Sequence, residues 1–72
     1  MGYYIIHKSD KQTPQPYYFV LYATNSEAIA ISEMYATKQG AQNGINSVRA
    51  NAATFDVRDN TGERGFGLGG LV

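Results

Sequence analysis

Polar and apolar positions alternate in short blocks through the first half of the chain, then change period. Tyr3-Tyr4-Ile5-Ile6 is dense in strand formers, which predicts a first strand from Gly2 to Lys8. Ser9 to Pro16 is polar, and Pro14 and Pro16 lack a backbone donor and fix φ, so this stretch is a loop. Tyr17 to Ala23 is the second predicted strand, joined to the first as an antiparallel hairpin. Thr24-Asn25-Ser26-Glu27 reads as a turn, with Asn25 suited to a positive φ. Ala28 to Ser32 is the third strand, with Ile29 and Ile31 on one face.

From Lys38 the apolar positions are Ala41, Ile45, Val48 and Ala52, a spacing that draws one stripe on a helix. Thr37 is placed to cap its N-terminus through the side-chain oxygen. Gly40 stands where a full capping box needs Glu or Gln. Gly44 shares the apolar stripe. A glycine inside a helix costs up to ~1 kcal/mol relative to alanine, so it predicts close approach of the helix to the sheet. Gln39, Gln42, Asn43, Asn46 and Arg49 form the other face, and Asn51 is suited to end the helix in a left-handed conformation. Thr54 to Asp59 is a last short strand, with Phe55 and Val57 on one side. The fold class is therefore α+β: a β-β-β-α-β unit over residues 1–59, an antiparallel sheet with one helix on one face. Residues 60–72 contain five glycines and read as a flexible tail.

Composition changes this picture in one respect. A chain of 72 residues makes one domain and buries only about 60% of the surface its unfolded form exposes. Such domains lean on disulfides, a metal or an oligomer interface. There is no cysteine and a single histidine, His7. That removes disulfides, thiolate zinc sites and histidine clusters, so no metal and no cofactor is expected. Oligomerisation is left, and a homodimer is the expectation. Six basic and six acidic residues give zero formal net charge. No Lys/Arg cluster supplies the phosphate contacts that nucleic-acid binding requires. No apolar run approaches the roughly 20 residues of a membrane span, and the N-terminus lacks a signal-like pattern. The cytoplasm is the default location.

The two sheet faces carry an unusual message. Tyr4, Ile6, Phe19 and Leu21 alternate onto the face assigned to the helix, where Ile29, Ile31, Tyr35, Phe55 and Val57 would join them. The opposite face holds Tyr3, Ile5, His7, Tyr18, Val20 and Tyr22. An antiparallel sheet with one wet face carries polar residues there. This face is aromatic and aliphatic, which marks it as a candidate interaction surface.

Ser32-Glu33-Met34-Tyr35, Thr37-Lys38, Ala41, Asn43-Gly44-Ile45 and Ser47-Val48, with Tyr18-Phe19-Val20-Leu21 before an Asn-bearing turn, resemble the signature of the YegP-like family. The resemblance covers residues 3 to 59. These are small bacterial proteins of unknown function that carry one or two copies of the unit. The resemblance implies that two units, in tandem or from two chains, build one sheet and exchange their C-terminal strands. For this chain it implies a homodimer that lends Phe55 to Asp59 to its partner. Two positions depart from the pattern. Thr13-Pro14-Gln15-Pro16 replaces a shorter Asp-Gly type turn, and Ser26 stands where glycine usually follows asparagine.

Candidate chemistry is sparse. His7 is a candidate general base by residue type, but no motif sets a nucleophile or carboxylate beside it, and a strand histidine on the second face is the simpler reading. Ser32, Glu33, Tyr35 and Lys38 cluster at the strand-to-helix bend as a candidate polar site. The competing reading is structural, since polar groups there satisfy orphan donors at a helix N-terminus. Gly65 to Gly70 matches G-x-G-x-x-G but lacks the following helix that a dinucleotide site needs. Arg64-Gly65-Phe66-Gly67 resembles the opening of an RNA-recognition strand, and Leu68-Gly69-Gly70 then breaks the pattern. The chain therefore reads as a non-enzymatic interaction or accessory module. The alternative is a protein that binds a peptide or small ligand on the tyrosine-rich face.

Overall fold

A computed structural model of the chain describes residues 1–63. Three strands form one antiparallel sheet in the order β1-β2-β3, with β1 at Tyr3–Lys8, β2 at Tyr17–Tyr22 and β3 at Ala28–Ile31. One helix follows, α1 at Lys38–Asn51. The α+β arrangement read from the sequence is the observed one. The glycine-rich matches at 64–67 and 65–70, and most of the tail, lie outside the described residues.

β1 and β2 pair in unbroken register from Tyr3↔Tyr22 to Lys8↔Tyr17. The loop between them closes through the Ser9 N–H donating to the Pro16 carbonyl at 2.8 Å. β3 pairs with β2 through Val20↔Ile31, Leu21↔Ala30 and Tyr22↔Ala28, with a bulge beside Leu21 and Tyr22. Pairing runs on past β3, since the Ser32 N–H reaches the Phe19 carbonyl at 2.9 Å and Tyr35 bridges Tyr17.

Thr37 caps the helix as expected. Its backbone is extended, and its Oγ1 accepts from the Gly40 N–H at 2.9 Å. At the other end the expectation fails. Asn51 stays helical and donates its side-chain amide to the Ser47 carbonyl at 2.8 Å. Ala52 caps instead in right-handed geometry, with φ −67° and its N–H bonded to the Val48 carbonyl. The Asn51 side chain satisfies an orphan carbonyl locally, so no left-handed residue is needed there.

The core lies between α1 and the β1–β2 pair. Phe19, Ala41 and Ile45 are buried, and Tyr4, Ile6, Tyr17, Tyr35 and Val48 pack around them. Ala52 is exposed, so the apolar stripe runs off the sheet at the last turn. Gly44 seats the helix. A Cβ placed there would lie 2.7 Å from Tyr35 Cζ and 2.9 Å from Phe19 Cε2, closer than van der Waals contact allows. The two rings below it stack with centroids 6.2 Å apart.

Two parts of the expected core are elsewhere. Directly opposed residues in an antiparallel pair project to the same face. Ile31 opposes Val20, so it lies on the face away from the helix and is 71% exposed. Ile29 is also exposed. The helix packs on β1 and β2 but not on β3. The bulge shifts the β3 register and reassigns the face that simple alternation predicted. The predicted fourth strand is likewise unformed among the described residues. Thr54 to Asp59 has no strand partner, and Phe55 is 99% exposed.

Gly44→Ala tests the seat of the helix. The added methyl must push apart two stacked rings, which outweighs the gain in helix propensity. A net loss of about 1–2 kcal/mol is expected, read as a lower urea midpoint at unchanged m. An unchanged or higher midpoint would show that the helix does not rest on this contact.

Candidate functional site

The regular β1–β2 register sets Tyr3 opposite Tyr22, Ile5 opposite Val20 and His7 opposite Tyr18, all on the face that the helix leaves open. Tyr3 and Tyr22 stack with centroids 5.2 Å apart at 19°, and His7 and Tyr18 stack at 5.2 Å and 26°. The imidazole also meets the Tyr22 ring edge-on, and its Nε2 lies 3.2 Å from the Tyr22 hydroxyl. Val20, at the centre of the middle strand, is 6% exposed although no helix covers it. The structure therefore brings all six predicted face residues together. It adds Ile31 through the Val20 pairing, a member that the bulge concealed from a reading by alternation.

This surface is a platform of rings, and two of its three tyrosine hydroxyls are already engaged. The Tyr3 hydroxyl donates to Ser26 Oγ at 2.7 Å, and the Tyr22 hydroxyl is held by His7. Tyr3 and Ile5 are about two-fifths exposed, at 39% and 40%. Such a surface can bury apolar or aromatic area against a partner.

The polar bend resolves into separate structural tasks. Ser32 Oγ accepts from the Phe19 N–H at 2.8 Å and donates to the Glu33 carbonyl at 2.7 Å, so it extends the sheet edge. Tyr35 exchanges backbone hydrogen bonds with Tyr17 and packs its ring on the core. Glu33 and Lys38 are exposed, and neither side chain has a hydrogen bond or ion pair among the described residues. The four residues are neighbours in sequence, but among the described residues the Ser32 bond to the Glu33 carbonyl is the sole side-chain hydrogen bond between any two of them.

Other polar groups are local. Asp59 receives the Thr61 hydroxyl at 2.7 Å and the Thr61 N–H at 2.9 Å, and these bonds hold its carboxyl below the usual range. Arg58 is bonded to Asp56, which raises its already high pKa. The loop from Lys8 to Pro16 encloses a shallow, open hollow, with the Lys8 ammonium 5.5 Å from the Tyr17 ring centroid. No group of three His, Cys, Asp or Glu side chains among the described residues is arranged to hold a metal ion. No described helix is long and apolar enough to cross a membrane.

The hairpin between β2 and β3 departs from the expected turn. The residue with positive φ is Ser26, at 69°, not Asn25. Asn25 instead accepts from the Glu27 N–H at 3.2 Å through its side chain, which positions it before the left-handed residue.

The model of the family described as "Domain of unknown function (DUF1508)" matches residues 15–59. The chain belongs to the YegP-like family of small bacterial proteins. Among YegP-like relatives, a UPF0339 protein of Photorhabdus laumondii subsp. laumondii is 38% identical over 69 residues, 92% of this chain and 58% of its own. UPF0339 protein YegP of Yersinia pestis is 41% identical over 64 residues, 85% of this chain and 54% of its own. YegP of Escherichia coli K12 is 49% identical over 45 residues, 62% of this chain and 41% of its own. The chain thus spans about half the length of the curated relatives it matches. These names describe uncharacterised proteins and carry no activity. No solved structure matches the chain.

Ser26 offers a direct check on the turn. A non-glycine residue in the left-handed region costs about 1 kcal/mol. Ser26→Gly should remove that cost and lose only an exposed hydroxyl contact with Tyr3. Thermal unfolding at fixed protein concentration should show a gain of a few degrees. A fall would mean that the Tyr3–Ser26 bond outweighs the backbone strain.

Proposed function

We propose that this YegP-like chain is a non-enzymatic interaction or accessory module that works as a homodimer with exchanged C-terminal segments. The observation that carries the reading is the state of Phe55 and Val57. They sit at alternate positions of the segment after α1 and are 99% and 65% exposed. Their backbone has no strand partner among the described residues. Full exposure of Phe55 forgoes about 1.5–3 kcal/mol, and Val57 forgoes part of that. Burial against a second copy recovers it.

The rest of the molecule supports the same reading. Only Phe19, Val20, Ala41 and Ile45 are buried among the described residues. The radius of gyration is 15.6 Å, against about 11 Å for a compact chain of this length. Zero net charge leaves little repulsion between copies. The family resemblance implies paired units, and relatives about twice as long as the matched segment have room for two.

Light scattering at micromolar concentration tests this. The expected mass is twice the 7.9 kDa of one chain. A monomeric mass across that range would end the proposal.

A second reading is favoured by the open tyrosine-rich face, which takes a peptide or small ligand on Tyr3, Tyr18 and Tyr22. Screening an array of short aromatic- and proline-rich peptides should then yield binders that Tyr22→Lys loses while its circular dichroism stays native. Binders that survive Tyr22→Lys would place the contact elsewhere.

A further inference from the structure

The contact that seats the helix also fixes a reactive pair. A Cβ at position 44 would collide with the Tyr35 and Phe19 rings, so packing holds that position to glycine. The residue before it is Asn43. Of the chain's five asparagines, Asn43 is the one followed by glycine; Asn25, Asn46, Asn51 and Asn60 precede Ser26, Ser47, Ala52 and Thr61. The amide carbon of an asparagine is open to attack by the backbone nitrogen of the next residue. A side chain on that next residue obstructs the approach, and glycine has none.

The helix blocks the same reaction. Position 44 lies inside α1, so its N–H is engaged by the Gly40 carbonyl one turn back. A nitrogen donating there does not give up its proton and turn on a neighbouring carbon. The Asn43 carboxamide is also held the other way. Its Oδ1 accepts from Gln39 Nε2 at 3.1 Å, toward the helix N-terminus and away from Gly44. Asn43 is exposed, so water is at hand once the turn opens. The anchorage of that turn is thin, since Ala41 and Ile45 are the buried residues of α1. Elements with few buried contacts open locally before the whole domain unfolds.

We propose that Asn43 and Gly44 form a self-modification site, silent while α1 is seated and reactive when it opens. The Gly44 nitrogen loses its proton to solvent and bonds to Asn43 Cγ. The Cγ–Nδ2 bond breaks, and the side-chain nitrogen leaves as ammonia with a proton taken from water. The product is a cyclic succinimide, which water opens on either side. Cleavage between Cγ and the ring nitrogen gives aspartate. Cleavage between the main-chain carbonyl carbon and that nitrogen gives isoaspartate, whose backbone runs through Cβ and Cγ. The extra methylene falls between Ala41 and Ile45 and breaks the hydrogen-bond ladder that sets both on one stripe. A transient opening thereby becomes a permanent loss of the helix seat, and copies that have lost their fold are chemically marked.

Peptide mass mapping tests this on two samples aged together at mildly alkaline pH, the native protein and the chain in guanidinium chloride. In denaturant, Asn43 should turn from amide to acid ahead of the other four asparagines. In the native protein the same change should be more than about tenfold slower. Ile45→Val thins the core without touching the pair, so it should raise the native rate and leave the denatured rate unchanged. After removal of denaturant, chains carrying isoaspartate should stay unfolded by circular dichroism, while Asn43→Asp, prepared directly, should refold. Equal rates in the two samples, or an inert Asn43 in denaturant, would overturn the site. A native rate unmoved by Ile45→Val would overturn its control by helix opening. Isoaspartate chains that regain the native spectrum would overturn the permanent loss of the seat.

Discussion

The contact of Gly44 with Tyr35 and Phe19 decides how the rest of the domain is arranged. Without a side chain at position 44, the helix descends until it meets the two rings, and that depth buries Ala41 and Ile45 on the same stripe. The rings cannot give way easily. Phe19 sits in the middle strand with Tyr4 edge-on to it at 5.9 Å, and Tyr35 is fixed to Tyr17 by two backbone hydrogen bonds. A helix seated this closely covers two strands and leaves the third bare. The exposure of β3 is thus a product of the same contact that makes the core.

From that constraint follows a division of labour between the faces. On the helix side, Phe19, Tyr4, Ile6 and Tyr35 are committed to internal packing. On the other side, the rings pair with one another across β1 and β2, in the stacks Tyr3–Tyr22 and His7–Tyr18. Cross-strand aromatic pairs stabilise a sheet by a few tenths to about 1 kcal/mol each. The face therefore supports the hairpin in the isolated chain and still offers area to a partner.

Much of this was legible from residue pattern alone. β1, β2, the Thr37 cap, the Gly44 approach and the two-faced hairpin all follow from local chemistry and a period of two or 3.6. The six residues of the tyrosine-rich face were readable for the same reason, since unbroken alternation fixes side. The misses each have a physical source. A bulge inserts one unpaired position, and no count of alternation reveals it, so Ile31 was assigned to the wrong face. Ser26 took the left-handed conformation because Asn25 was already engaged in its own side-chain turn. Thr54 to Asp59 shows a strand pattern correctly, but a pattern does not name the strand it pairs with. At the bend, the hydrogen bonds of Ser32 and Tyr35 are spent on sheet and core.

The outer surface of α1 has a consequence of another kind. Between Lys38 and Arg49 the helix has no charged side chain, and it is laced instead by amide pairs, Gln39 to Asn43 at 3.1 Å and Gln42 to Asn46 at 3.2 Å. Most exposed helices draw part of their support from ion pairs, which dissolved salt weakens. A lattice of neutral amides is indifferent to the ions around it and to protonation over the ordinary range. The side-chain pairs along the middle of α1 therefore lend it the same support across swings in salinity and acidity.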